Sequence, residues 1–366
     1  MVGMGKIVSE VPPTKSQGAE LPPQSLKHPP PTELITGGGR LPKFKSKPYI
    51  IGLICLIFLS GVALVAVLNS PAKDTGHPLT PAKKKPSSAT TPSLLNGVLV
   101  DPKIADRHPV AVMIENSQDA RPQTGLTDAD IVYEAVTEGG ITRYMAIYSQ
   151  KYPTNAGPVR SARSYFIDWL ADYDAFYAHA GGSPTALSRI REYGLKDYPH
   201  SGEAYTRRAQ AGLASEHTLY VNVEKIFQLG TSKKGWPSTR QTKAWLFKDP
   251  ANTATALANS VAVKFSSAAF DVIWRWDPKS NLYSRELAGL PHKDRVSGAQ
   301  ITARSIVAMM VSHSPNSPYK GTGKESEWTM TTIGQGQASV FLDGSRLDGQ
   351  WKKPSRTERL RFFDTS

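Results

Sequence analysis

The chain has 366 residues, with 44 Lys and Arg, 31 Asp and Glu, 28 Pro and a single Cys. One thiol excludes an intrachain disulfide scaffold, and the length allows about two domains of ~150 residues each. Residues 1–94 hold 14 of the 28 prolines, 3 of the 32 aromatic residues, and 11 basic against 4 acidic residues. The rest of the chain carries 33 basic and 27 acidic residues, so the net charge of +13 does not indicate a nucleic-acid-binding protein.

The first segment, residues 1–47, is rich in proline and poor in large apolar side chains. Such a composition cannot bury enough surface to offset the entropy lost on ordering. Residues 1–47 are therefore predicted to form a disordered tail.

The second segment is an uncharged run of 20 residues at 49–68. A helix of that length covers about 30 Å, the hydrocarbon thickness of a bilayer. The run is longer than the apolar region of a cleavable signal peptide, which is the alternative interpretation. Cys55 lies inside the run after Ile54, and is interpreted as a membrane-facing side chain. Residues 48–69 are thus predicted to be a transmembrane helix whose partner is the lipid bilayer.

The charges that flank this run predict its orientation. Four basic residues precede it at positions 40, 43, 45 and 47, whereas Lys73 and Asp74 cancel just beyond it. The positive-inside rule places the N-terminus in the cytoplasm and the C-terminal domains outside the cell membrane. Residues 70–94, rich in Pro, Lys, Ser and Thr, are predicted to be a linker.

The third segment, residues 95–240, alternates strand-like and helix-like runs, which favours a mixed α/β domain. A Gly-Gly pair at 139–140 between two β-rich runs predicts a hairpin. Ser183, Pro184 and Gly194 are typical of a helix N-cap, first position and stop. The predicted strands are 110–115, 131–137, 142–149 and 175–182, and the predicted helices are 159–176, 184–193 and 221–230.

The last segment, residues 241–366, consists of short strand-like runs separated by Gly, Pro, Asn and Asp, with one helix-like run at 251–261. It is predicted to be a β-rich domain. The predicted fold class is α+β: a mixed α/β part followed by a mostly β part, preceded by one transmembrane helix.

A group of charged residues in the α/β part is the predicted ligand-binding site. Arg160 and Arg163 are three residues apart near a predicted helix start, where both side chains and free N–H groups would face an anion. The alternative is that the arginines pair with Glu115, Glu134 or Glu138 and lock the sheet to the helix. The full set comprises Glu115, Arg121, Glu134, Glu138, Arg143, Arg160 and Arg163.

Catalytic interpretations rest on weaker patterns. His179 and Ser183 flank a glycine turn and could serve as base and nucleophile, although Ser183 is equally explained as an N-cap. The acids Glu115, Glu134, Glu138 and Asp168 could supply a glycosidase pair, but their spacing selects none. The scattered histidines predict no metal site, and no cofactor is expected. Trp274 and Trp276 share a strand face, which suits a carbohydrate platform or, more simply, a core.

Several ordered motifs resemble one bacterial family of unknown function, the YerB-like lipoproteins. The motifs lie at 108–116, 120–126, 129–148, 157–163, 179–184 and 274–294. The resemblance implies an envelope protein with an N-terminal α/β region and a C-terminal β region, and it implies no activity. Two departures stand out. The resemblance implies a lipid-attachment cysteine, which the predicted helix replaces here as the anchor. It also implies a further strand after the Trp351 region, so the C-terminal sheet is expected to lack its last strand.

Together these observations predict a membrane-anchored extracytoplasmic accessory protein that binds a cell-wall component or an envelope protein. A non-enzymatic role is favoured. The alternative is a cell-wall hydrolase or esterase that uses the carboxylates or His179 and Ser183.

Overall fold

The computed structural model describes residues 90–240, 245–251, 260–315 and 327–364, together with the backbone of residues 2–3 and 6–8. The predicted transmembrane helix lies outside these ranges, as do most of the predicted tail and linker. Within the described ranges, no helix has the length and apolar character needed to cross a bilayer.

Few helices and many strands make up the described chain, as the α+β prediction requires. The helices are α1 Ser164–Leu170, α2 Pro184–Glu192 and α3 Val223–Lys234. The strands of the first half are β1 Val2–Gly3, β2 Lys6–Val8, β3 Thr91–Pro92, β4 Leu99–Val100, β5 Val110–Glu115, β6 Ile131–Val136, β7 Thr142–Tyr148, β8 Phe176–His179, β9 Asp197–Pro199, β10 Tyr205–Arg207 and β11 Leu219–Val221. Those of the second half are β12 Ser260–Lys264, β13 Asp271–Asp277, β14 Leu282–Leu287, β15 Leu290–Pro291, β16 Thr302–Ala303, β17 Ser305–Met309, β18 His313–Pro315, β19 Trp328–Met330, β20 Gly334–Leu342, β21 Ser345–Lys353 and β22 Arg361–Asp364.

The main sheet has ten strands in the order β22-β21-β20-β17-β1-β6-β7-β5-β8-β9. The predicted α/β region supplies β5 to β9, and the predicted β-rich region supplies β17 and β20 to β22. The short strand β1 lies between β6 and β17 and pairs with both in parallel. The two predicted regions therefore contribute to one sheet rather than to two separate ones.

Both faces of β5, β7 and β8 are covered, so these strands are buried along their whole length. One face packs against α1, whose seven residues are all buried, including Trp169 and Phe166. The opposite face packs against α3 through Ile226 and Leu229. Burial on both faces explains why these strands are continuous apolar runs instead of alternating ones.

A second sheet has the order β15-β14-β13-β12-β2, with β16 also pairing with β14. The side chains Trp274 and Tyr283 fill its core together with Val261 and Val263, and Trp351 is buried in the core of the main sheet. Trp274 is 2% exposed, so it belongs to the core and does not form a carbohydrate platform.

Several predicted elements are confirmed. The strands β6 and β7 form an antiparallel hairpin across the Glu138–Gly140 turn, in which Gly139 and Gly140 take positive φ. The Ser183 hydroxyl accepts from the Ala186 N–H at 3.1 Å, which makes it the N-cap of α2.

The helix predicted over 159–176 is wrong at both ends, because only Ser164–Leu170 is helical. The residues before it form isolated β-bridges, including Val159 to Ile114 of β5 and Ala162 to Gly182, which follows β8. Arg163 is the N-cap residue, with φ −130° and ψ 147°, and Arg160 precedes the helix. The two arginines therefore do not share a first helical turn, since bridging to the sheet holds this segment extended.

The helix predicted at 251–261 falls mostly outside the described residues, and its last two positions, Ser260 and Val261, begin β12 instead. Antiparallel pairing with β13 holds these two residues in an extended conformation, in which successive side chains point to opposite faces of the sheet.

Candidate functional site

The predicted site residues come from β5, β6 and β7, from the segments that follow β5 and β6, and from the loop before α1. Glu115 and Arg143 are direct cross-strand partners on β5 and β7. Glu134 lies opposite Tyr144 on β6 and β7. The sheet register therefore brings strand-borne acids and bases close together, and the structure divides them into three groups.

The first group surrounds Glu115, which is 3% exposed. The Arg160 Nε lies 2.8 Å from one Glu115 oxygen, and the His217 Nδ1 lies 2.9 Å from the other. The Ser117 hydroxyl also donates to Glu115, at 2.9 Å. Arg160 extends outward, and its Nη2 lies 3.6 Å from the solvent-exposed carboxylate of Glu216. This group reaches the surface along the Arg160 side chain.

The first group does not have the geometry of a Ser-His-acid triad. Ser117 and Glu115 both approach the same ring nitrogen of His217, Nδ1, at 3.4 and 2.9 Å. A triad requires the acid on one ring nitrogen and the nucleophile on the other. Ser117 instead donates its proton to Glu115.

The second group is formed by Glu138, Arg143 and Arg163. Arg163 donates from Nε and Nη2 to the two Glu138 oxygens at 2.6 and 2.7 Å, a bidentate ion pair. Burial raises the pKa of Glu138, but the bonds from Arg163 more than offset this effect and the net pKa is lowered. Arg163 is thus held by an acid in the turn between β6 and β7, and Arg160 by Glu115, the kind of pairing that the alternative interpretation describes.

Arg143 differs from the other two arginines. It is 8% exposed, and it donates from Nη1 to the Ser161 carbonyl at 2.8 Å. Its Nε is buried and has no hydrogen-bond partner. Burial, and then the neighbouring Arg163 guanidinium, lower the pKa of Arg143 to about 10, with a smaller contribution from Arg160. A buried guanidinium beside two others is left with donor capacity that the described protein atoms do not use.

The third group is a buried network that joins the two halves of the chain. Glu134, 2% exposed, accepts from Nη2 of the fully buried Arg285 at 2.6 Å. Arg285 Nη1 donates to Nδ1 of His292 at 2.6 Å, and His292 Nε2 faces the Gln123 side-chain oxygen at 2.7 Å. Since arginine only donates, Nδ1 of His292 is the acceptor and Nε2 carries the proton.

The charge states of this network follow from burial and its two arginines. Burial lowers the pKa of His292 to about 2, assisted by the charges of Arg285 and Arg121, so the ring is neutral. Burial alone would lower the pKa of Arg285, but the attraction of Glu134 and Tyr144 raises it. Glu134 therefore neutralises a cation of the C-terminal region and does not face solvent.

Arg121 lies at the edge of this network. It donates from Nε and Nη2 to the side chain and carbonyl of Asn116 at 3.1 and 3.0 Å, and its guanidinium lies 4.9 Å from the centre of the Phe270 ring. Burial lowers its pKa. These contacts hold the Arg121 turn against the C-terminal region.

The residues of the hydrolase alternative are not arranged for catalysis. Both ring nitrogens of His179 are occupied, by the Gly181 carbonyl at 2.7 Å and by Asp197 at 2.9 Å. The Ser183 hydroxyl donates to Glu327 at 2.7 Å. A general base must reach the proton that it removes, and in this structure His179 does not contact Ser183.

The candidate glycosidase acids are likewise engaged. Asp168 accepts from the Thr332 hydroxyl at 2.5 Å and lies 3.4 Å from Arg189. Glu115, Glu134 and Glu138 each face an arginine, as described above. In the part of the chain that the structure describes, no three potential ligands are grouped for a metal ion.

Sequence reasoning missed His217, Arg285, His292 and Glu327. Arg285 is 151 positions from Glu134 and Glu327 is 144 from Ser183, so no local spacing connects them. His217 is the last residue of a short 3₁₀ helix, Ser215–His217, which has no recognisable motif. Only the pairing of distant strands brings these groups to the site.

Comparison with known proteins points to the same family over nearly all of the described chain. Residues 95–237 match the N-terminal domain, and residues 261–366 the C-terminal domain, of the family described as "Protein of unknown function (DUF3048)". "Putative lipoprotein YerB" of Bacillus subtilis (strain 168) is 29% identical over 265 residues, which cover 71% of this chain and 77% of that protein. The crystal structure of the Bacillus subtilis YerB protein matches with a TM-score of 0.65 and 26% identity, covering 75% of this chain and 90% of that one.

Proposed function

The chain belongs to the DUF3048 family, and from the site described above we propose that it is an envelope accessory protein that binds an anionic cell-wall polymer. The relative named as a lipoprotein supports attachment to a membrane. We further propose that residues 49–68 serve as the anchor, with the N-terminus in the cytoplasm and the α/β and β-rich regions outside, an arrangement that requires residues 2–8 to leave the strand positions β1 and β2.

The observation that carries the binding proposal is the Arg143 guanidinium, which is over nine-tenths buried and keeps an Nε without a partner. It lies near Arg160 and Arg163, each of which lowers its pKa. A buried donor without a partner costs free energy, and a phosphate or carboxylate that reached it would remove that cost. This unused buried donor supports an anionic group as the ligand.

Arg160 provides the outer end of the same site. Its contact with Glu216 spans 3.6 Å, and the Glu216 side chain is 57% exposed, so this ion pair contributes little. A ligand anion can replace Glu216 on Nη2 while Glu115 continues to hold Nε. Arg163 remains bound by Glu138 and positions the loop. We therefore assign ligand contact to Arg160 and Arg143, whereas the buried Glu134 and the edge residue Arg121 stabilise the fold around them.

Binding is tested by sedimenting the full chain, in detergent micelles, with purified insoluble cell wall. Replacing Arg160 with alanine removes one charge-assisted contact of about 1.5–3 kcal/mol, so we expect the apparent Kd to rise roughly 10- to 100-fold. Arg191→Ala, at an exposed position of α2, is the matched control and should bind like the wild type. Equal binding by the Arg160→Ala variant and the wild type would refute the assignment.

The same incubation tests the enzymatic alternative. Soluble fragments released from the wall in proportion to protein concentration would replace the binding proposal with hydrolysis. Retention of the wall mass, with saturable and salt-sensitive sedimentation of the protein, supports it.

A further inference from the structure

A cavity of about 1070 Å³ lies away from the charged residues described above. This volume is close to the upper end of the range for small-molecule pockets, about 300–1,000 Å³. Strands β6, β17 and β20 contribute to its walls, together with the segments at 95–98 and 245–248. No residue of the predicted charge cluster lines it. The cavity is therefore a second place at which the molecule can hold a ligand.

The walls of this cavity, which we call the apolar cavity, are mostly aliphatic and aromatic. Val307 on β17 and Val340 on β20 are direct cross-strand partners, and both line it. Other apolar side chains in the walls are Leu95, Ile131, Val132, Tyr173, Leu342 and Leu360. Such walls favour a ligand with a large apolar part, because apolar surface is stabilised when it leaves water.

Two polar side chains in the walls, Asn96 and Asp130, are already bonded to the protein. The Asn96 side chain donates to Asp130 at 2.9 Å and accepts from the Gln150 side chain at 2.6 Å. Asp130 also accepts from the N–H groups of Ser149 and Gln150, at 2.5 and 3.1 Å. A sugar would lose its hydration here against mostly apolar walls, which costs free energy.

Exposed apolar side chains are concentrated at the opening of the cavity. Among the described residues, nine large hydrophobic side chains are exposed, and four of these nine line the cavity: Val98, Leu246, Phe247 and Phe363. A single exposed apolar side chain is normal, but a group of them around an opening indicates a surface that contacts an apolar ligand.

The charges around the cavity indicate what else the ligand carries. Of the described side chains that line it, four are cationic and one, Asp130, is acidic. Lys248 pairs with Asp343. Arg304 and Arg361 are exposed, and within the described ranges neither forms an ion pair. Because the free charges at the cavity are positive, an anionic group on the ligand would meet complementary charge.

We propose that the apolar cavity binds an amphiphile with an aliphatic chain and an anionic head group. The chain lies against Val307 and Val340, and the exposed Arg304 and Arg361 attract the head group. Each buried methylene lowers the Kd about fourfold, so the chain supplies most of the affinity and the exposed arginines select the head group. A free fatty acid and an acidic membrane phospholipid share this chemistry.

The probe is dodecanoate that carries a photoreactive diazirine at the end of its chain. The full chain, in micelles of an uncharged detergent, is irradiated with increasing amounts of the probe, and mass spectrometry of the digested protein locates the attachment. We expect saturable attachment to the lining segments at 126–132, 301–307 and 340–342. Attachment confined to other segments would overturn the proposal.

A blocked cavity provides the matched comparison. In Val340→Trp the indole occupies the space beside Val307, whereas Val340→Ala leaves the cavity open at the same position. Since both variants are labelled in the same detergent, the micelles dissolve the probe equally in each sample. We expect attachment to the lining segments to be lost in Val340→Trp and kept in Val340→Ala. Equal attachment to the two variants would show that the probe does not enter the cavity.

The head group is tested with the double variant Arg304→Gln and Arg361→Gln, in which two exposed side chains change and the core is untouched. Exposed ion pairs contribute modestly, so the half-saturating probe concentration should rise roughly 2- to 5-fold per arginine. Arg191→Gln, at an exposed position of α2, should match the wild type. If the double variant also matches the wild type, the anionic head group is wrong.

The source of the ligand is identified from the lipids that accompany the protein when it is purified from cells. Wild type and Val340→Trp are purified in the same detergent, and their lipid extracts are compared by mass spectrometry. An excess of free fatty acid in the wild type identifies that source, and an excess of acidic phospholipid identifies the other. An excess of uncharged lipid alone would contradict the proposal.

Discussion

At the residue scale, the predicted charge cluster contains residues that stabilise the fold and residues that can contact a ligand. Glu134, Arg285 and His292 form a buried network that joins regions 95–237 and 261–366, the two domains of the family. Arg143 on β7 keeps an unused donor, and Arg160 in the loop before α1 reaches solvent. Charge type alone predicted a site here, but only burial and partner distances separate the residues that stabilise the fold from those that can meet a ligand.

His292 should make the stability of the fold depend on pH. Its pKa is about 2 in the folded state against about 6.5 when unfolded, so the unfolded chain binds an extra proton below pH 6.5. The contribution of His292 to the free energy of unfolding is therefore complete above pH 6.5 and is lost as the pH falls. Between pH 7 and pH 5 this loss is about 2 kcal/mol.

Urea unfolding at pH 7 and pH 5 measures this effect, with His292→Gln as the comparison. Glutamine can still accept from Arg285 but does not titrate, so the variant should lose about 2 kcal/mol less than the wild type over this range. Burial lowers the pKa of His108 to about 4, and because this contribution is the same in both proteins it cancels. Equal pH slopes for the two proteins would show that His292 is not buried as described.

At the element scale, the sequence predicted those helices, strands and turns that depend on residues close together in the chain. The hairpin β6–β7, the Ser183 cap of α2 and the strands of the C-terminal region all follow from turn residues and periodicity. Two features escaped prediction. The aromatic spacing of 165–173 favoured a long helix, but bridges from Val159 and Ala162 to the sheet leave only seven helical residues. The pairing of Arg285 with Glu134 depends on contacts across 151 positions, which no periodicity encodes.

Gly230 in α3 is required by packing. A Cβ at this position would lie 2.7 Å from Phe176 Cε2 and 2.8 Å from Trp236 Cε3. Alanine is the better helix former by about 1 kcal/mol, yet the overpacking typically costs about 1–3 kcal/mol. We expect Gly230→Ala to lower the midpoint of thermal unfolding, which calorimetry measures.

The control for Gly230 is Ser232→Ala, two residues on in the same helix at an exposed position. It should leave the midpoint nearly unchanged or raise it slightly, since alanine favours helix. A rise in the midpoint for Gly230→Ala of the same size would show that α3 does not pack against β8 at Phe176.

At the scale of the whole molecule, composition anticipated the division into residues 1–94, about a quarter of the chain, and a folded remainder, and the family match agrees with the folded part at 95–237 and 261–366. Composition could not anticipate that both regions contribute to one ten-stranded sheet. The wall-binding proposal requires residues 90–364 to lie outside the membrane, and the proposed topology places residues 1–47 inside.

The most direct test of that requirement is protease protection in intact cells that express the chain with an epitope tag at its N-terminus. Protease added outside should digest the folded regions and leave a tagged fragment of about 70 residues, because the bilayer shields residues 1–47 and the anchor at 49–68. Loss of the tag while the folded regions survive, or protection of the entire chain, would contradict the account.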